Sequence, residues 1–306
     1  MLRHPELRQA LDDEPHRPDR IGLPWLAHCL GLGRPAAVLQ IYALLNFAFW
    51  AALLGMFLLH VGLERPRDLL LATALLWSTG TLVSLDRALT DFPAMALGVM
   101  AVWQTSGQLS PAGLLSAACL IKETSILQIP VVGWSERANL GVARLIGTWA
   151  LMSLPVAAWL LYVRWNLPGT VIPSEDIFRL PFAGLVTKLL TAGNDIWQTA
   201  RSGSFPFNEI FELLAPVSLV IQAIYLTRYP RLASRAWRLG GGFVLLMLFL
   251  GDRVWVEQYG FCRILLPLTA AFNLIVHQRE EGPSYTRWFV AGNVGMIWMF
   301  LKVLGA

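Results

Sequence analysis

The chain has 306 residues, 56% of them apolar and only 14% charged, with 24 Lys and Arg against 20 Asp and Glu. Soluble domains carry about 25% charged residues, and disordered chains are poor in apolar residues and rich in charge, so neither class fits. Three cysteines, an odd number, also exclude a secreted disulfide scaffold, and a mean hydropathy of +0.54 leaves an all-α polytopic membrane protein.

In chain order, residues 1–35 hold Arg3, Arg8, Arg17, Arg20 and Arg34 and lack the charge-free core that a signal peptide needs. Residues 36–63 contain no Asp, Glu, Lys or Arg, which predicts a crossing helix. Residues 69–85 and 92–121 are likewise free of charge, the second run being broken at 104–108 by a Gln-Thr-Ser-Gly-Gln patch that predicts a turn. Further charge-free runs cover 124–135, 145–163, 213–227, 239–251, 264–278 and 288–301. Together they predict a helical bundle of about nine to ten crossings. Strict two-residue alternation, the mark of a transmembrane barrel, is absent. The organisation expected is an N-terminal segment over 1–35, transmembrane helices over 36–163, an extramembrane loop over 164–208 and a second helical set over 209–306. The loop holds Pro168, Pro173, Pro181 and Pro206, is too polar to span, and has room for short amphipathic helices such as 182–190.

Alternate loops carry Arg65 and Arg67, then Arg137 and Arg144, then Arg228, Arg231, Arg235 and Arg238, then Arg279 and Arg287. The positive-inside rule assigns these to the cytoplasm, so the pI near 9.2 reflects topology and calls for no nucleic-acid partner. Arg228 to Arg238 also suit contact with anionic lipid. By parity residues 1–35 then face outward, whereas a basic terminus with no leading helix should stay inside; a further helix upstream of Met1 would reconcile the two. Trp103, Trp134, Trp165, Trp237, Trp255 and Trp288 fall near segment ends, where an interfacial belt would place them. Cys29, Cys119 and Cys262 read as small buried hydrophobes, and Asn46 as an interhelical hydrogen-bond partner.

Ionisable groups near membrane depth are costly and so are functional candidates. Lys122 and Glu123 interrupt an otherwise apolar stretch. The lysine is suited to hold a phosphate as a point charge, and the glutamate to steer a hydroxyl or a metal; the alternative is an ion pair at a helix junction. Asp86 and Asp91 sit five residues apart on a loop of the same predicted face. They suit an acceptor hydroxyl or a cation, while Asp91 or Thr90 suits a helix cap before Pro93. An internal echo pairs Arg20-Ile21-Gly22-Leu23-Pro24 with Arg263-Ile264-Leu265-Leu266-Pro267. Two such arginines can clamp one anionic headgroup, or each can snorkel beside a helix-starting proline. No P-loop, dinucleotide fingerprint, HExxH or nucleophile elbow occurs.

These segments, with Asp19 to Ala27, Leu44-Leu45-Asn46, Thr90 to Ala94, Ile121 to Thr124 and Arg263 to Pro267, resemble bacterial GT-C-type membrane glycosyltransferases that use polyprenyl-phosphate sugars. The resemblance implies an active site at the extracytoplasmic face of the plasma membrane, open sideways to lipid. A sugar would pass there from a polyprenyl-phosphate-linked donor to a lipid, glycan or protein acceptor. A carboxylate in the first outer loop serves as base in that family; here Asp12 and Asp13 lie in what remains of that loop. Asp91, Asp86 and Glu123 are the catalytic candidates, and Lys122, Arg263 and Arg20 the candidate phosphate ligands. A divalent cation, Mg or Mn, would be the cofactor, with Asp91 as its ligand. A transporter or lipid flippase, and a non-catalytic membrane partner, are the alternatives.

Overall fold

A computed structural model describes residues 19–104, 110–133, 137–166, 177–256 and 259–296. Among these the chain is helical, and an antiparallel bridge between Phe178 and Leu250 is the strand-type pairing present. The helices are α1 (Gly22–Leu30), α2 (Pro35–His60), α3 (Pro66–Leu76), α4 (Thr79–Asp86), α5 (Asp91–Trp103) and α6 (Pro111–Ile121), followed by a 3₁₀ segment (Glu123–Val131). Then come α7 (Arg137–Asn166), α8 (Ala183–Arg201), α9 (Phe207–Arg228), α10 (Arg235–Phe249), α11 (Asp252–Val256), α12 (Gly260–Ile264), α13 (Leu266–Arg279) and α14 (Gly282–Asn293).

Among the described residues, three helices are long and apolar enough to cross a membrane: α2, the Gly141–Asn166 part of α7, and α9. A fourth is added if α3 and α4, bent by 44° at Trp77 and Ser78, count as one broken span. The other charge-free runs form shorter helices. At 1.5 Å per residue, the 13 residues of α5 reach about 20 Å, less than the roughly 30 Å of a hydrocarbon core. The run at 124–135 makes the 3₁₀ segment; Pro130 lies within it and cannot donate to an α-helical ladder. Of the polar patch at 104–108, all but Gln104 lies outside the described residues.

The two long helices α2 and α7 leave apolar side chains on the outside, among them Leu39, Phe47, Leu59, Ile146, Leu151 and Leu161. A helix apolar all round needs lipid or core against it. Here α5 takes the core position, buried at every residue from Asp91 to Trp103, and α2 and α7 take the lipid-facing one. Within the bundle, Gln222 on α9 donates to the Gly292 carbonyl at 2.6 Å and accepts from the Thr269 hydroxyl at 3.0 Å. Asn273 and Asn293 exchange side-chain hydrogen bonds. These polar pairs join α9, α13 and α14 where water cannot substitute.

Several sequence expectations are corrected. Asn46 bonds back to the Tyr42 carbonyl of its own helix at 3.2 Å, not to a neighbour. Cys119 and Cys262 are buried, but Cys29 is exposed. Trp255 is fully buried and Trp103 nearly so, stacked in the core instead of lying in a belt; Trp165 is 88% exposed, and Trp134 lies outside the described residues. Arg238 is buried and donates to the Val131 and Leu232 carbonyls. It thereby satisfies the carbonyl end of the 3₁₀ segment and is removed from any lipid contact.

Candidate functional site

Five of the six candidate residues converge. Asp91 opens α5, Lys122 and Glu123 lie at the junction of α6 with the 3₁₀ segment, Arg20 precedes α1, and Arg263 lies on α12. Lys122 Nζ donates to Asp91 Oδ1, with both side chains almost wholly buried. Arg263 Nη1 faces the other oxygen, Asp91 Oδ2, at 3.8 Å, and that oxygen accepts no hydrogen bond. Arg20 reaches Glu123 through Nε at 3.3 Å and Nη2 at 3.4 Å. Three cations from three distant parts of the chain thus meet two carboxylates.

Local backbone geometry explains the convergence. Lys122 is extended, at φ −149° and ψ 122°, so α6 stops there and the side chain turns inward. A Cβ on Gly22 would lie 2.9 Å from the Leu120 carbonyl carbon. Only glycine lets the start of α1 settle on the end of α6, and this brings Arg20 beside Glu123. On the other side, Gly80 of α4 lies against the Cys262 backbone, where a Cβ would overlap the carbonyl group. Tyr259, in the left-handed region at φ 73°, turns the chain into α12, and the Arg263 amide then bonds to the Tyr259 carbonyl at 3.1 Å. Gly80→Ala is accordingly expected to cost about 1–3 kcal/mol through overpacking. Its thermal melting in detergent checks this, and an unchanged melting temperature would mean that α12 yields freely.

The capping alternative for Asp91 is resolved by Ser84. Thr90 makes no side-chain cap bond; instead the Ser84 hydroxyl of α4 accepts from the Phe92 amide at 3.0 Å and donates to the Leu89 carbonyl at 3.2 Å. A hydroxyl from another helix thus performs the capping, and the Asp91 carboxylate is committed to the cations. Asp86 is not brought in. It ends α4, exposed, and makes none of the cluster's contacts. Asp12 and Asp13 lie outside the described residues.

Sequence reasoning passed over the flanking groups. Asp19 stands beside Arg20, just before the echo motif, and its pKa is raised by burial first and by the Glu123 carboxylate second, with Arg164 and Arg20 opposing. For Arg20, burial works against the charge, but Glu123 and Asp91 outweigh it and raise the pKa above the ordinary guanidinium value. Lys188 of α8 pairs with Glu212 of α9 at 3.1 Å. It lines a small cavity with Thr79, Tyr259, Phe261 and Cys262, the last of these preceding Arg263 in the chain.

A divalent cation does not fit this donor set as it stands. Each oxygen of Asp91 faces a basic side chain, Glu123 is held by Arg20, and a metal would meet three positive charges. The arrangement suits an anion that could share the arginines, since guanidinium binds phosphate oxygens bidentately. The accessible cations are Arg20 and Arg263, whose side chains are 22% and 12% exposed, against 4% for Lys122.

Fold and site together define a helical membrane protein with a charge cluster buried at one end of its bundle. No family model matches the chain, and neither a curated protein nor a solved structure is similar to it.

Proposed function

We propose that the chain is an integral membrane glycosyltransferase of GT-C type that binds the phosphate of a polyprenyl-phosphate-linked sugar at this cluster, on the extracytoplasmic face. The observation that carries the reading is the meeting of Arg20, Lys122 and Arg263 around Asp91 and Glu123. Charges placed this deep in a membrane protein are expensive, and an excess of cations suits a phosphate. In this reading α5, α6, the 3₁₀ segment, α10 and α13 join the three long helices and the broken α3–α4 span as tilted or paired short crossings, nine in all, with the run at 288–301 as a tenth.

Arg263 and Arg20 hold the phosphate oxygens, while Lys122 fixes Asp91 and sets the charge of the floor. The acceptor hydroxyl attacks the anomeric carbon, and the bond from that carbon to the phosphate oxygen breaks. Polyprenyl phosphate leaves with the electron pair, and the hydroxyl proton passes to a carboxylate. Glu123, with its side chain 31% exposed, is the better placed of the two to take it; Asp91, at 3%, anchors the cations. No step needs a metal.

Binding of a polyprenyl phosphate to the purified full chain in detergent tests the reading. Saturable binding that weakens with ionic strength is expected, because the contacts are charge-assisted; no binding at any salt concentration would remove the phosphate site. The 44° break between α3 and α4 favours a flippase as second reading, since broken helices line transport paths. Sugar transfer to an added acceptor separates the two.

A further inference from the structure

Helix α8 has three distinct faces. Gly184, Leu185, Lys188 and Ala192 are buried against the bundle, held by the Lys188–Glu212 pair and by the Thr199 hydroxyl donating to Glu209 at 3.1 Å. A second stripe, Phe182, Val186, Leu190 and Trp197, is apolar and at least half exposed; its members repeat at three- and four-residue multiples and so share one side of the helix. The third face carries Thr187, Thr191, Asn194 and Gln198, all exposed. A soluble helix needs only a buried and a polar face. An apolar stripe between them, on a helix already docked, requires a different solvent on that side.

The apolar stripe continues a lipid-facing wall. The Arg179 and Phe182 amides bond to the Phe249 and Leu248 carbonyls at 2.9 and 2.7 Å, so α8 starts where α10 ends. There α10 turns Leu245 and Phe249 outward, and Leu180 beside them is 80% exposed. At the far end the Arg201 guanidinium lies 4.5 Å over the Trp197 ring. This pairs a cation with an amphipathic aromatic, as at a headgroup boundary.

We infer that α8 is an interfacial helix, lying along the headgroup–acyl boundary of the bilayer at the same end of the bundle as the charge cluster, with Phe182, Val186, Leu190 and Trp197 in the acyl region. Its occupant is the lipid surface itself, with anionic headgroups beside Arg201. The inference rests on the membrane character of the chain and not on the transferase reading. It has a consequence for the site: Lys188 on the docked face lines one cavity with Cys262, next to Arg263, so the depth of α8 in the lipid sets the depth of the cluster. Such helices bury their apolar face about 5–10 Å below the headgroups.

The test uses the full chain with Cys29→Ser, which removes the exposed thiol, in nanodiscs of phosphatidylethanolamine and phosphatidylglycerol. Val186→Cys, Leu190→Cys, Thr191→Cys and Gln198→Cys are each labelled with a small fluorophore. All four positions are exposed, so the label displaces no packing. Doxyl-labelled lipid is expected to quench positions 186 and 190 several-fold more than 191 and 198, with aqueous iodide giving the reverse order. Equal iodide quenching at all four would put the stripe in water and overturn the inference. Protection of 186 and 190 from both quenchers would also overturn it, because protein would then cover the stripe.

Discussion

Lys122→Met alone is expected to destabilise the protein by about 3–5 kcal/mol, the cost of leaving one partner of a buried pair without the other. Asp91 would keep only the longer-range attraction of Arg20 and of Arg263, the latter at 3.8 Å from one oxygen, and could not regain water. Removing both charges, as Lys122→Met with Asp91→Leu, is expected to restore the melting temperature to near wild type, since apolar side chains of similar volume replace a buried pair at little cost. The combination separates scaffold from site. If the cluster binds phosphate, the double variant is stable in detergent but binds polyprenyl phosphate poorly. Wild-type binding in the stable double variant would reduce Lys122 and Asp91 to a helix junction.

Arg263→Ala is the cleaner functional probe, because Asp91 retains its hydrogen bond from Lys122. A hydrogen bond to a charged group is worth about 1.5–3 kcal/mol, so binding of polyprenyl phosphate should weaken roughly 10- to 100-fold, with little change in melting temperature. Arg263→Lys should fall between, as an ammonium cannot reproduce the two parallel bonds of a guanidinium. Equal binding by wild type, Arg263→Ala and Arg263→Lys would show that Arg263 only holds Asp91 in place. From sequence Lys122 is the foremost phosphate ligand; its burial transfers that role to Arg263 and Arg20.

The legible part of the site was its inventory. Lys122 and Glu123 interrupt an apolar stretch, and Asp91 and Arg263 border charge-free runs, so these four stand out by cost, and the repeated Arg-Ile-x-Leu-Pro pattern singles out Arg20. Which of them pair was not legible. Lys122 and Glu123 are adjacent in sequence, with one ion pair as the alternative to functional roles, yet the extended backbone at Lys122 sends their side chains to different partners, Asp91 and Arg20. Asp86 and Asp91 look equivalent on one loop, but Ser84 takes over the cap at α5 and leaves only Asp91 turned inward.

By itself, the amino-acid sequence determined that this is a helical membrane protein, because apolar runs without charge are favourable only where lipid or core surrounds them, a property each segment carries alone. It also determined which charged residues must be accounted for. The tertiary structure decided which runs are long enough to cross, which helix is buried on all sides, and which cation meets which carboxylate. Those outcomes depend on contacts between segments far apart in sequence, such as Gly22 on Leu120 and Gly80 on Cys262, where the absence of one Cβ sets how closely two backbones approach.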